Sequence, residues 1–133
     1  AASGWGAATR VQSNTSGDGF LPQITIDPAG NAVAIWHQTD GVRYNVWANR
    51  FVVGTGWEGG MFVENDNTGD AQYAEVGMDA SGNAIAVWQQ FDGTRFNIMS
   101  NVLPSGGSWG TAEPIENDIN PSTLPQIAVR DSW

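Results

Sequence analysis

The stretch Gly30-Asn-Ala-Val-Ala-Ile-Trp36 returns as Gly82-Asn-Ala-Ile-Ala-Val-Trp88, 52 residues on. The adjoining stretch repeats too: Asp40-Gly-Val-Arg43-Tyr-Asn45 becomes Asp92-Gly-Thr-Arg95-Phe-Asn97. Across 30–49 and 82–101, 11 of 20 positions are identical, which is too many for a shared turn alone. Trp5, Trp57 and Trp109 keep the same spacing of 52. A fixed period of this length marks a stacked or radial repeat. In such a protein each unit buries its apolar face only against a neighbour.

Working outward from that core, each unit reads as four short strands. Residues 21–27 are β-branched and end at Asp27-Pro28-Ala29-Gly30, a turn signal. In 31–38, Ala32, Ala34 and Trp36 share one face and Val33, Ile35 and His37 the other. Both faces are largely apolar, so this strand is expected to be buried on both sides. Asp40-Gly41 makes a hairpin turn, because Gly accepts positive φ there. Strands at 43–52 and 57–64 come next, a polar loop spans 65–72, and the cycle restarts at Tyr73. No segment has helical periodicity. Four antiparallel strands at this period fit a β-propeller blade better than a solenoid coil. The small residues Ala32, Ala34, Ala84 and Ala86 suit crowded, radially packed sheets.

The expected fold is therefore all-β, about two and a half blades of a β-propeller. Residues 1–12 hold the outer strand of a preceding blade, 13–64 and 65–116 are blades, and 117–133 hold the inner strand of a following one. Leu124-Pro-Gln-Ile-Ala-Val129 repeats Leu21-Pro-Gln-Ile-Thr-Ile26 at a spacing of 103. Two blades cannot close a ring of four to eight, and open edges invite pairing. The expected partners are the remaining blades of a longer chain or further copies in a homo-oligomer.

Composition narrows the function. Fourteen acids against five arginines, with no lysine, give a net charge of −9. This argues against nucleic acid, whose phosphates call for clustered Lys and Arg, and against anionic membrane surfaces. No run of 18 apolar residues suggests a membrane span. Without cysteine there is neither a disulfide nor a thiolate metal site. The first residues, Ala1-Ala-Ser-Gly, have no leader character, as in a mature or excised chain. A Lys-free, Cys-free chain rich in Asn, Gly and Trp suits a secreted or surface bacterial protein.

Catalysis finds few parts. The single histidine, His37, has Gln89 as its counterpart, and no serine sits in a nucleophile elbow. Arg43 and Arg95 are repeat-equivalent, which spreads rather than converges them. The loop from Glu64 to Asp70 offers oxygens that Ca²⁺ would accept. It departs from the EF-hand pattern, and ordinary Asx-turn chemistry also explains it, so no cofactor is expected. For carbohydrate, each unit offers an aromatic ring and planar polar groups. The candidate ligand-binding set is Trp36, Gln38, Asp40, Arg43 and Asn45, repeated as Trp88, Gln90, Asp92, Arg95 and Asn97. The structural reading of the same residues carries the greater weight. The tryptophans fit a core, Asp40 with Arg43 fits a hairpin ion pair, and Asn45 and Asn49 fit backbone bonding.

The pattern Gly-Trp…Pro-Gln-Ile-x-Ile-Asp-x-x-Gly-Asn-Ala-x-Ala-x-Trp-x-Gln-x-Asp-Gly…Asn resembles tandem repeats of secreted and surface-anchored bacterial propeller proteins. It is distantly similar to the Asp-box repeat of sialidases, Ser-x-Asp-x-Gly-x-Thr-Trp. Asp27…Gly30…Trp36 and Asp79…Gly82…Trp88 depart from that spacing. Seven-bladed bacterial propeller lectins carry Trp-bearing repeats of similar length. The resemblance implies a fold, within which function varies. The leading expectation is a non-enzymatic, lectin-like binding module for glycans. The alternatives are a structural or protein-interaction propeller segment and a sialidase-like hydrolase fragment.

Overall fold

The computed structural model describes residues 6–130. Trp5 and the final Asp131-Ser-Trp133, which belong to the expected flanking strands, lie outside that range. The described chain is all-β, without a helix. Strands β1 (Gly19–Ile26), β2 (Ala32–Thr39), β3 (Tyr44–Val52), β4 (Gly56–Trp57) and β5 (Met61–Phe62) form one sheet. Its order is β1-β2-β3-β4, with β5 also paired to β3. Strands β6 (Ala71–Met78), β7 (Ala84–Phe91), β8 (Phe96–Leu103) and β9 (Glu113–Pro114) form the second, in the order β6-β7-β8-β9. All neighbours are antiparallel.

The tight turns come from the repeated residues. Asp27 accepts at Oδ1 from the Asn31 N–H at 2.9 Å and at Oδ2 from the Asn31 Nδ2 at 2.8 Å. Asp79 does the same with Asn83, at 2.8 Å for both bonds. Gly30 and Gly82 take φ of 92° and 84° inside these turns, a region that suits a residue without Cβ. Asp40 and Asp92 cap the next hairpins. Asp40 Oδ1 accepts the Val42 and Arg43 N–H groups, and Asp92 Oδ1 those of Thr94 and Arg95.

The expected continuous strand at 57–64 is split in two. Glu58 N–H still bonds the Arg50 carbonyl at 2.9 Å, after which the chain jogs through Gly59 (φ 131°). A Cβ at Gly60 would meet Ser13 Oγ at 2.6 Å, so any larger residue there would displace the Ser13 hydroxyl. Pairing resumes with Met61 opposite Ala48 and Phe62 opposite Trp47. Residues 6–12, expected as an outer strand, form none, and neither do 124–130.

Strands β1 and β6 each carry a bulge. Pairing skips between Phe20 and Gln23 in β1, and between Gln72 and Glu75 in β6. Leu21, Tyr73 and Leu124 all sit at positive φ, 47°, 53° and 54°. These are the three non-glycine residues with positive φ among those described.

The sheets pack face to face, with β6 lying across β1, β2 and β3. One core cluster joins Val33, Ile35, Val46 and Ala48 of the first sheet to Ala74, Val76, Ala86 and Trp88 of the second. As the sequence predicts, β2 is buried on both faces from Ala32 to Gln38. The segment 124–130 covers the other side of β6, where Val129 and Ile127 fill the space a Gly77 Cβ would need.

Candidate functional site

The sequence-selected residues fall into two groups in each unit. Trp36 and Trp88 are 5% and 0% exposed, inside the sheets rather than on them. Their indole N–H groups donate to Gln38 Oε1 at 3.1 Å and Gln90 Oε1 at 2.9 Å. Both glutamines are buried as well. Their Nε2 atoms reach back 24 residues, Gln38 to the Asn14 carbonyl at 3.2 Å and Gln90 to the Asp66 carbonyl at 2.5 Å. Each Trp–Gln pair thus fastens a strand to the segment that leads into its own unit.

The second group lies at the hairpin. Asp92 is held down to about 2 by the backbone N–H of Arg95, then by Asn97 Nδ2 and the N–H of Thr94. Asp40 is lowered for the same reason, with the Arg43 and Val42 N–H groups as the main causes. The expected Asp40–Arg43 ion pair does not form. Among the described residues the ion pair is Arg50–Glu58, at 2.7 Å. Arg95 Nε instead donates to Asn97 Oδ1 at 2.9 Å, and the buried Arg43 Nε has no partner. Asn45 is buried, with one long contact to the Arg43 carbonyl.

The asparagines bond backbone as the sequence suggests, and they do so across units. Asn49 Nδ2 donates to the Val11 carbonyl and Asn101 Nδ2 to the Val63 carbonyl, each at 2.8 Å. Nearby, Glu64, which the sequence offered only as one oxygen donor of the polar loop, is buried. Burial raises its pKa to about 7, against the opposing bond from the Asp66 N–H. Its position in Val63-Glu-Asn-Asp66, repeated as Ile115-Glu-Asn-Asp118, was the available signal. Asp66 itself accepts the Thr68 N–H at 2.8 Å, an Asx turn. Among the described residues no three His, Asp or Glu side chains are grouped to hold a metal ion.

Two of the open surfaces adjoin the residues just described. One is an apolar cleft of about 450 Å³ on the far side of the first sheet, lined by Gly19, Pro22, Ile24, Ala34, Trp36 and Trp57 with Arg10 at its rim. The other is a cavity of about 150 Å³ where the β1 and β6 bulges meet the segment 124–126. Beside it, Phe20, Tyr44 and Tyr73 surround the His37 ring, with centroids 5.8, 5.2 and 5.8 Å away. Burial lowers the His37 pKa, and its Nδ1 is buried without a partner. No known protein family, no characterised protein and no solved structure matches this chain.

Proposed function

We propose that this chain is a non-catalytic segment of a β-propeller, and that its role is structural: it presents sheet faces on which further sheets of the same repeat dock. One observation carries this reading. Val76 of β6 is 8% exposed because the first sheet packs on it, while its counterpart Ile24 of β1 is 64% exposed. Met78 packs against the core, and its counterpart Ile26 is 66% exposed. The open cleft is thus the same surface that the second sheet buries. Ala71, Ala74, Ala86 and Trp88 stand in the core at the positions equivalent to Gly19, Pro22, Ala34 and Trp36. A further sheet with the shape of the first would complete it, supplied by a second copy or by the rest of a longer chain.

Glycan binding at Trp36 and Trp88 would need open ring faces, and both rings are buried. The scaffold reading therefore takes precedence over the lectin-like one. An extracellular setting, supported by the Lys-free and Cys-free composition, belongs to the same proposal.

The test is a solution mass across a concentration series, for the native chain and for Ile24→Glu/Ile26→Glu. The native chain is expected to associate as its concentration rises. The variant is expected to stay monomeric with an unchanged melting temperature, since both side chains are exposed in the isolated chain. A native chain that is monomeric throughout, and indistinguishable from the variant, rules out a second copy as the missing sheet.

A further inference from the structure

Three segments, in β1, in β6 and in the strandless 124–130, share a positive-φ backbone but not a chemistry. The outer two are Leu21-Pro22-Gln23 and Leu124-Pro125-Gln126, and the middle one is Tyr73-Ala74-Glu75. The middle copy keeps the positive φ, 53° against 47° and 54°, without the proline. The change of side chains is therefore not something the bulge requires. Moreover, the departure falls on the one copy that has a neighbour on each side.

All three converge on the cavity of about 150 Å³, which Leu21, Gln23, Tyr73, Glu75, Leu124 and Gln126 line. Glu75 is the one charged residue of that lining. It has no cationic partner, since the ion pair among the described residues is Arg50–Glu58. A second departure adjoins it. Where the second unit has Gln89, whose Oε1 accepts the Leu124 N–H at 3.1 Å, the first has His37 packed against the Tyr73 ring. One junction is closed by a hydrogen bond. The other is walled by aromatic rings, of which Phe20 and Tyr73 are each 41% exposed.

We propose that this bulge cavity binds a primary ammonium on an aliphatic stem, that is, a lysine side chain of a partner protein. An ammonium has three N–H donors and no acceptor. Glu75, Gln23 and Gln126, whose side chains each carry an acceptor oxygen, line the one cavity. Leu21 and Leu124 give apolar walls for the methylene stem. The Tyr73 ring adds the attraction that an aromatic face has for a cation. A guanidinium, planar and suited to a bidentate carboxylate, uses this arrangement less well. The chain has no lysine of its own, and its net charge of −9 draws cationic partners from a distance. The site does not depend on what covers Ile24 and Ile26.

The test is a titration of the ¹⁵N-labelled chain, followed by its amide spectrum. The probes are Nα-acetyl-lysine methylamide, the norleucine analogue without the amine, the arginine analogue and a methyl glucoside. The lysine probe is expected to give saturable shifts at the Leu21, Tyr73 and Leu124 amides. Binding should weaken by about fivefold in Glu75→Gln, the ratio expected for a partly exposed ion pair, and also weaken with salt. Glu113→Gln, an exposed carboxylate in β9, should leave binding unchanged. The amide spectrum of each variant also reports whether it is folded. The proposal fails if norleucine binds as well as lysine, if Glu75→Gln binds equally, or if the glucoside or arginine probe is the one that saturates.

Discussion

Gln38 and Gln90 each use both ends of one carboxamide, the oxygen for an indole N–H and the nitrogen for a carbonyl of the incoming segment. Groups buried this deeply are kept by such pairing, because an unsatisfied polar atom there costs about 1–3 kcal/mol. Glu64 has no comparable set of donors, and it stays protonated up to about pH 7. The unfolded chain releases that proton near the ordinary value of 4.5. Between the two values the folded state binds more protons, so stability falls as pH rises through the window. The ceiling on that loss is roughly 3 kcal/mol. His37 acts in the opposite sense below its ordinary value of 6.5, since burial keeps it neutral in the fold. The difference between wild type and Glu64→Gln isolates the carboxyl. Urea denaturation at pH 5 and pH 8 should find the two proteins similar at the lower pH, and Glu64→Gln more stable by about 1–3 kcal/mol at the higher.

Strand β6 is covered by the first sheet on one side and by the segment 124–130 on the other, and Gly77 lets the second cover come close. Val129 and Ile127 occupy the space of its missing side chain. Gly77→Val should overpack that contact, cost about 1–3 kcal/mol, and lift 124–130 off the sheet. A lower melting temperature together with faster proteolysis after Leu124 would record it; proteolysis unchanged at that site would mean the segment is held elsewhere. The sequence made much of this architecture readable. The apolar run Ala32–Trp36 announced a doubly buried strand, and Asp40-Gly41 and Asp92-Gly93 announced hairpins, with Gly41 and Gly93 at φ 94° and 95°. The bulges were not readable. Leu21 and Leu124 precede prolines, a position normally driven to extended φ, yet both take positive φ. Nor was the fate of the candidate site residues. A period of two tells which side chains share a face, but not which faces another sheet will cover. That is why Trp36 and Trp88, read first as core, also stayed open as platforms. The Gly59-Gly60 jog hid in the same way, since its cause is an approach to Ser13, 47 residues away in sequence.

The molecule as a whole combines an apolar open face with a surface of one dominant sign. On the scaffold reading these two features oppose each other in any head-to-tail docking of copies. Burying Ile24 and Ile26 favours contact, while two chains of charge −9 repel. Apolar burial depends little on moderate salt, whereas repulsion between exposed charges decays over a Debye length of about 10 Å at 0.1 M and about 3 Å at 1 M. Association is therefore expected to strengthen as sodium chloride is raised, the reverse of the behaviour expected for lysine capture at Glu75. The same repulsion fades as carboxylates protonate toward the isoelectric point near 4.1. Sedimentation velocity at low and high salt, at fixed protein concentration and neutral pH, separates the two contributions. A shift to larger species in high salt that Ile24→Glu/Ile26→Glu abolishes places the attraction on the β1 face. Association that weakens with salt would instead mean that contacts between opposite charges hold the copies together, and with so few arginines those contacts would have to run through Arg10, Arg43, Arg95 or Arg130.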